Sequence, residues 1–123
     1  MYSGSRILSY TMSQIPATTP QELKEAIADG AELTILDVRQ PHEFENDHIE
    51  AENVETINVP LNELQTLGPD QLPDSVSDDR IVAVCRSGNR SSFATRILDQ
   101  AGLDVENLQG GMRSWKQVAS VPS

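Results

Sequence analysis

The sequence predicts an α/β fold: a central parallel sheet of about five strands with helices on both faces. Three observations predict it. Short β-branched apolar runs alternate with segments whose apolar residues recur at helical spacing. The links between successive runs are too long for hairpins, so neighbouring strands run parallel through helical crossovers. The run Ile81-Val82-Ala83-Val84 is apolar throughout, as a strand covered on both faces must be.

The elements follow in order. Thr19 or Thr18 caps a helix whose first turn holds Pro20 and Glu22. Leu23, Ala26 and Ile27 form its apolar stripe, and Gly30 suits its stop. Leu33 to Val38 is a strand ending in Asp37-Val38-Arg39, and a short helix follows Pro41 through Phe44. Val54 to Val59 is the next strand, stopped by Pro60. Leu61, Leu64 and Leu67 give a turn or two of helix before the Gly68-Pro69 break. The strand up to Val84 leads through a polar loop into a helix from Ser91 to Gln100, with Phe93, Ala94, Ile97 and Leu98 as its apolar positions. Val105 to Leu108 is the last strand, and Gly110-Gly111 opens a helix carrying Met112, Trp115 and Val118.

At 123 residues the chain is expected to form one domain, residues 14–119, behind a flexible leader, 1–13, and before a short tail, 120–123. The patterned sequence starts just after Met12, which fits a natural start there. The charge is strongly acidic, 19 carboxylates against 9 basic residues, so nucleic acid is not an expected partner. The same balance fits a solvated surface, or adaptation to high salt. No stretch approaches the length of a membrane helix, so no membrane association is expected. One cysteine cannot form an internal disulfide, which fits a reducing, cytoplasmic setting. His42, His48 and Cys85 have no metal-ligand spacing, so no metal site is expected.

The chemistry centres on Cys85, which opens the loop Cys85-Arg86-Ser87-Gly88-Asn89-Arg90-Ser91 between a strand end and a helix start. Unpaired helix N–H groups and the helix dipole favour negative charge there, and Arg86 and Arg90 add positive charge. A lone cysteine is more often a small buried hydrophobe. The loop reverses those odds. Gly88 and Asn89 permit left-handed backbone, and Ser87 is small, so the turn can wrap the sulfur and aim its amides inward. Arginines at a helix N-terminus are otherwise disfavoured by the dipole, and a nearby anion relieves that conflict.

From about Thr18 to Val118 the chain resembles the single-domain form of the rhodanese family of sulfurtransferases. Leu36-Asp37-Val38-Arg39, with Glu43-Phe44 and His48-Ile49, is similar to the family's first signature, continued by Ile57-Asn58-Val59-Pro60. The Cys85 to Ser91 segment is similar to its active loop, and Leu108-Gln109-Gly110-Gly111 followed by Trp115 to its closing signature. Two places depart from the pattern. Asp47 stands where the family commonly has glycine, and an acidic stretch from Glu50 to Thr56 replaces a short Pro-Gly-Ala link.

The resemblance implies transfer of a sulfane sulfur through a Cys85 persulfide, with no metal or organic cofactor. Cys85 is then the nucleophile, and Arg86, Ser87, Gly88, Asn89, Arg90 and Ser91 cradle the persulfide. Asp37, Arg39 and His48 are supporting residues: Asp37 and Arg39 order the loops, since a thiolate stabilised by amides needs no general base, and His48 packs and hydrogen-bonds. Trp115 is expected in the core and His42 at the surface. The expected partners are a small anionic donor such as thiosulfate, a cyanide or thiol acceptor, and a sulfur-relay protein. A phosphatase or arsenate reductase is the enzymatic alternative, but it needs arginine six positions after the cysteine, where this chain has Ser91. A non-catalytic binding module on the same fold is the other alternative.

Overall fold

A computed structural model of the chain describes residues 15–52, 54–73, 76 and 80–119; the expected leader, Met12 and the tail lie outside these. In chain order the elements are β1 (Ala17–Thr18), α1 (Pro20–Ala28), β2 (Leu33–Asp37), α2 (Pro41–Asn46), β3 (Val54–Asn58), α3 (Leu61–Leu67), a 3₁₀ turn (Pro69–Gln71), β4 (Arg80–Val84), α4 (Asn89–Gln100), β5 (Val105–Leu108) and α5 (Gly111–Ala119). The strands form one sheet in the order β1-β5-β4-β2-β3, with every neighbouring pair parallel.

The alternation of side chains along each strand divides the core in two. Ile81 and Ala83 of β4 and Leu36 of β2 join Leu64, Ala94 and Leu98 on the face covered by α3 and α4. Val82 and Val84, with Leu33 and Ile35, join Leu23, Leu108 and Met112 on the face covered by α1 and α5. Each fully buried leucine, isoleucine or valine contributes about 1.5–3 kcal/mol through lost apolar exposure. Cys85 follows the parity of Ile81 and Ala83 and belongs to the first cluster. The strand therefore delivers the thiol to the foot of α4.

The element sequence agrees with the pattern read from the residues, with shifts of one or two positions at the ends. The addition is β1. Two residues are too short to show a period, and this edge strand is held by backbone bonds from the Asn107 N–H to the Pro16 carbonyl and from the Gln109 N–H to the Thr18 carbonyl, each 2.9 Å. Of the two candidate caps for α1, Thr19 serves: its hydroxyl accepts from the Glu22 N–H at 3.1 Å, and its own N–H donates to the Glu22 carboxylate at 3.0 Å. Thr18 is buried in β1. Trp115 is half-buried against the second cluster, at the rim of the core that it was expected to fill.

Candidate active site

Cys85 follows the last residue of β4 and is 1% exposed. Its carbonyl accepts from the Met112 N–H at 2.8 Å, and the Arg86 carbonyl accepts from the Arg113 N–H at 3.0 Å. The first turn of α5 thus takes both carbonyls. One loop amide meets the sulfur. The Gly88 N–H donates to Cys85 Sγ at 3.0 Å, and the Ser91 hydroxyl lies 3.3 Å from it. The amides of Arg86, Ser87, Asn89, Arg90 and Ser91 take no acceptor among the described residues. Those of Asn89, Arg90 and Ser91 belong to the first turn of α4, where no intrahelical acceptor exists. The sulfur thus meets two donors, the Gly88 N–H and the Ser91 hydroxyl, at the positive end of a twelve-residue helix.

Glycine makes this loop possible at two close approaches. Gly88, at φ 101°, is the residue before α4, and a Cβ there would stand 3.2 Å from the Gly110 nitrogen. Gly111, at φ 58°, lies against the backbone of Cys85 and Arg86 with no room for a Cβ. The active loop and the turn before α5 therefore touch backbone to backbone.

The arginines of the loop divide. Arg86 is exposed. Arg90, expected to lend its charge to the sulfur, is held in a two-pronged pair by Glu43 of α2, with Nη1–Oε1 2.8 Å and Nη2–Oε2 3.0 Å. The Glu43 hydrogen bonds raise its pKa, burial opposes this, and the charges of Glu43 and Cys85 add to the rise. Glu43 also accepts from the Gln40 N–H at 3.0 Å, so the residue that closes the start of α2 also anchors the active loop. The Arg90 hydrogen bonds hold the Glu43 carboxyl down to about 2, below its ordinary 4.5; burial opposes this and the Gln40 amide assists it. A carboxyl held lower in the folded state stabilises the fold above its unfolded value, and that stabilisation fades as pH falls from about 4.5 through about 2. Glu43→Gln should therefore flatten the acid limb of the unfolding curve in this window. Circular dichroism melts at stepped pH check it, and an unchanged slope would count against the pair.

Among the described residues none of Asp37, Arg39 and His48 bonds to the thiol, and Asp37 pairs in the sheet with Val84, the residue before Cys85. Arg39, 4% exposed, donates to both Asp37 carboxylate oxygens at 2.7–3.2 Å and to the Asp47 carbonyl at 2.6 Å. Burial works against its charged form, but the Asp37 and Asp47 hydrogen bonds and charges outweigh it and raise its pKa. Asp47, the departure from the family pattern, also pairs with Lys116 of α5. Its carboxyl is held below its ordinary value, first by Lys116 and then by Arg39, against burial. The substitution thus ties the end of α2 to α5. Asn58 adds two bonds, donating to the carbonyls of Asp37 and Arg39, both at 2.9 Å. His48 stacks on Phe44 with ring centroids 4.1 Å apart, and its Nδ1–H donates to the Phe44 carbonyl at 2.8 Å. His42 is exposed, as expected.

The thiol stands at the carboxyl end of a parallel strand and at the foot of a helix, and the domain around it matches a known family. The rhodanese-like domain family matches residues 19–118. The chain belongs to that family. A rhodanese-related protein of Thermoplasma volcanium has the same fold, with TM-score 0.70 and 32% identity over 87% of this chain and 95% of that one. A NAD-dependent persulfide reductase from A. fulgidus matches with TM-score 0.59 and 38% identity, covering 82% of this chain and 16% of its own. YrkF of Bacillus subtilis, named as a candidate sulfur carrier protein, is 31% identical over 91% of this chain and 57% of its own length. The chain spans about half the length of YrkF and of a Synechocystis relative. Sulfur transfer is the functional class these relationships support.

One residue of the site escaped the sequence reading. Asn107 of β5 is 8% exposed, and its side chain joins Ser91 to Gly88. The signal was present: an amide between Val105 and Leu108, both buried in a parallel strand, needs partners, and a strand end beside the active loop supplies them.

Proposed function

We propose that the protein is a sulfurtransferase that carries a sulfane sulfur on Cys85. The Cys85 thiolate attacks the terminal sulfur of an anionic donor such as thiosulfate. The bond between that sulfur and the rest of the donor breaks, and sulfite leaves with the electron pair. A nucleophilic acceptor, cyanide in an assay or a thiol in a cell, then takes the outer sulfur and restores the thiolate. The observation that carries this reading is the Gly88 N–H at 3.0 Å from Sγ, with the Ser91 hydroxyl beside it at 3.3 Å. Such donors stabilise charge on sulfur as an oxyanion hole does on oxygen.

Near-complete burial of Cys85 supports delivery of a single end-on atom over a bulky tetrahedral group. The Glu43 pair supports the same reading. A phosphatase needs its loop arginine for the phosphoryl oxygens, whereas Arg90 is already bound at both prongs by a carboxylate. The name of YrkF supports a place in a sulfur relay, with a protein as donor or acceptor.

Mass spectrometry of the intact chain after incubation with thiosulfate tests the reading. A gain of one sulfur atom is expected, and the adduct should vanish on adding cyanide. Absence of the adduct, together with ready hydrolysis of an aryl phosphate, would replace sulfur transfer by the phosphatase alternative.

A further inference from the structure

Asn107 is a buried amide for which the sulfur-transfer reading has no use, and it touches both residues that donate to the thiol. Its Oδ1 accepts from the Ser91 hydroxyl at 2.5 Å, and its Nδ2 donates to the Gly88 carbonyl at 3.4 Å. Ser91 and Gly88 are the two residues whose donors lie 3.3 Å and 3.0 Å from Cys85 Sγ. One side chain on β5 is thus the common anchor of both contacts to sulfur.

The Ser91 hydroxyl carries one hydrogen and has two acceptors in reach, Asn107 Oδ1 and Cys85 Sγ. The state of the sulfur decides between them. A neutral thiol donates its own hydrogen to Ser91 Oγ, and the hydroxyl passes its hydrogen to Asn107. Sulfur that carries charge has no hydrogen to give and draws the hydroxyl hydrogen to itself, because a charge-assisted bond is roughly twice as strong as a neutral one. Ser91 cannot drift between these uses. Its carbonyl accepts from the Thr95 hydroxyl at 2.8 Å, and the residue is fully buried.

We infer that Asn107 is a positioning residue that holds the Ser91 hydroxyl ready for the charge appearing on Cys85 when the carried sulfur is discharged. The inference rests on the persulfide reading above. In discharge the acceptor, a thiolate or cyanide, forms a bond to the outer sulfur. The bond from that sulfur to Sγ breaks, and its electron pair stays on Sγ as the thiolate. No proton and no external electron is consumed. Charge grows on Sγ throughout this step, so donors aimed at Sγ lower its barrier. In loading the charge on Sγ is spent as it attacks, and the same donors give no such gain. The pair therefore acts on one half-reaction far more than on the other.

The test loads the protein with thiosulfate, removes excess donor, and follows loss of the one-sulfur adduct on adding cyanide, with loading timed separately. Ser91→Ala should slow discharge about tenfold, the scale of one hydrogen bond to a charged group, while loading changes less than about threefold. Ser91→Thr, which keeps the hydroxyl, should recover most of the loss. Asn107→Leu should slow discharge by a similar factor, and the double variant Ser91→Ala/Asn107→Leu no further than the slower single, because both act through one hydroxyl. Should Asn107→Leu fail to fold, Asn107→Asp keeps the shape, loses the donor to Gly88 and adds charge near the leaving sulfur, so discharge should slow further still. Discharge from Ser91→Ala at the parent rate, multiplying effects in the double variant, or equal slowing of both half-reactions would overturn the inference. A parent chain that never gains the adduct overturns the persulfide reading instead.

Discussion

Cys85→Ser should abolish sulfur transfer, with turnover of thiosulfate and cyanide falling at least about three orders of magnitude, the scale set by removing a covalent nucleophile. The chain holds a single cysteine, so no second thiol can inherit the sulfur. A serine hydroxyl is scarcely ionised near neutral pH and forms no bond to sulfur that an acceptor could reopen. The fold should survive. Serine fills nearly the same volume, and its hydroxyl can still meet the Gly88 N–H that bonds Sγ at 3.0 Å. Far-UV circular dichroism and a thermal melt alongside the assay separate lost chemistry from lost structure. A folded serine variant that still transfers sulfur at near the parent rate would remove Cys85 from the mechanism.

Cys85 and its loop were legible in the sequence because each of their determinants is local. The run Ile81 to Val84 declares a strand by composition, Gly88 declares a left-handed turn, and the periodicity from Phe93 to Leu98 declares the helix that follows. What the sequence hides is pairing between distant positions. Arg90 reads as a free cation beside the thiol until α2 brings Glu43 against it. Asp47 reads as a loss of glycine until Arg39 and Lys116 converge on it from two elements. Asn107 reads as one of two polar letters in a four-residue strand, and its meaning comes only from the register that sets it beside Ala83 of β4. Strand β1 was hidden for a different reason. Its two residues are held by the sheet edge, and no local preference of theirs announces it.

The same dependence on distant contact makes Gly111 the most sensitive backbone position of the site outside the loop itself. Gly111→Ala should cost about 2–4 kcal/mol of stability and most of the sulfur-transfer activity. Two separate penalties add. At φ 58° an alanine pays for the left-handed conformation, about 1 kcal/mol or somewhat more. Its Cβ would also overlap the Cys85 carbonyl oxygen and the Arg86 carbonyl group, which are backbone atoms that cannot rotate aside. Relieving such overlap by shifting backbone costs about 1–3 kcal/mol. The shift falls where it does most harm. The carbonyls displaced are those that α5 holds through the Met112 and Arg113 amides, in the same loop as the Gly88 N–H that donates to the sulfur. Moving them by a fraction of an ångström spoils convergence on a single atom, so activity should fall more steeply than stability alone explains. Gly102→Ala supplies the comparison: it carries the same left-handed penalty at φ 91°, with open space around its Cβ and no contact with the loop. Denaturant melts should show Gly102→Ala destabilised by the smaller, conformational cost, and thiosulfate kinetics should show it active. Equal losses of activity in the two variants would mean that the Gly111 contact with Cys85 and Arg86 has no part in shaping the cradle.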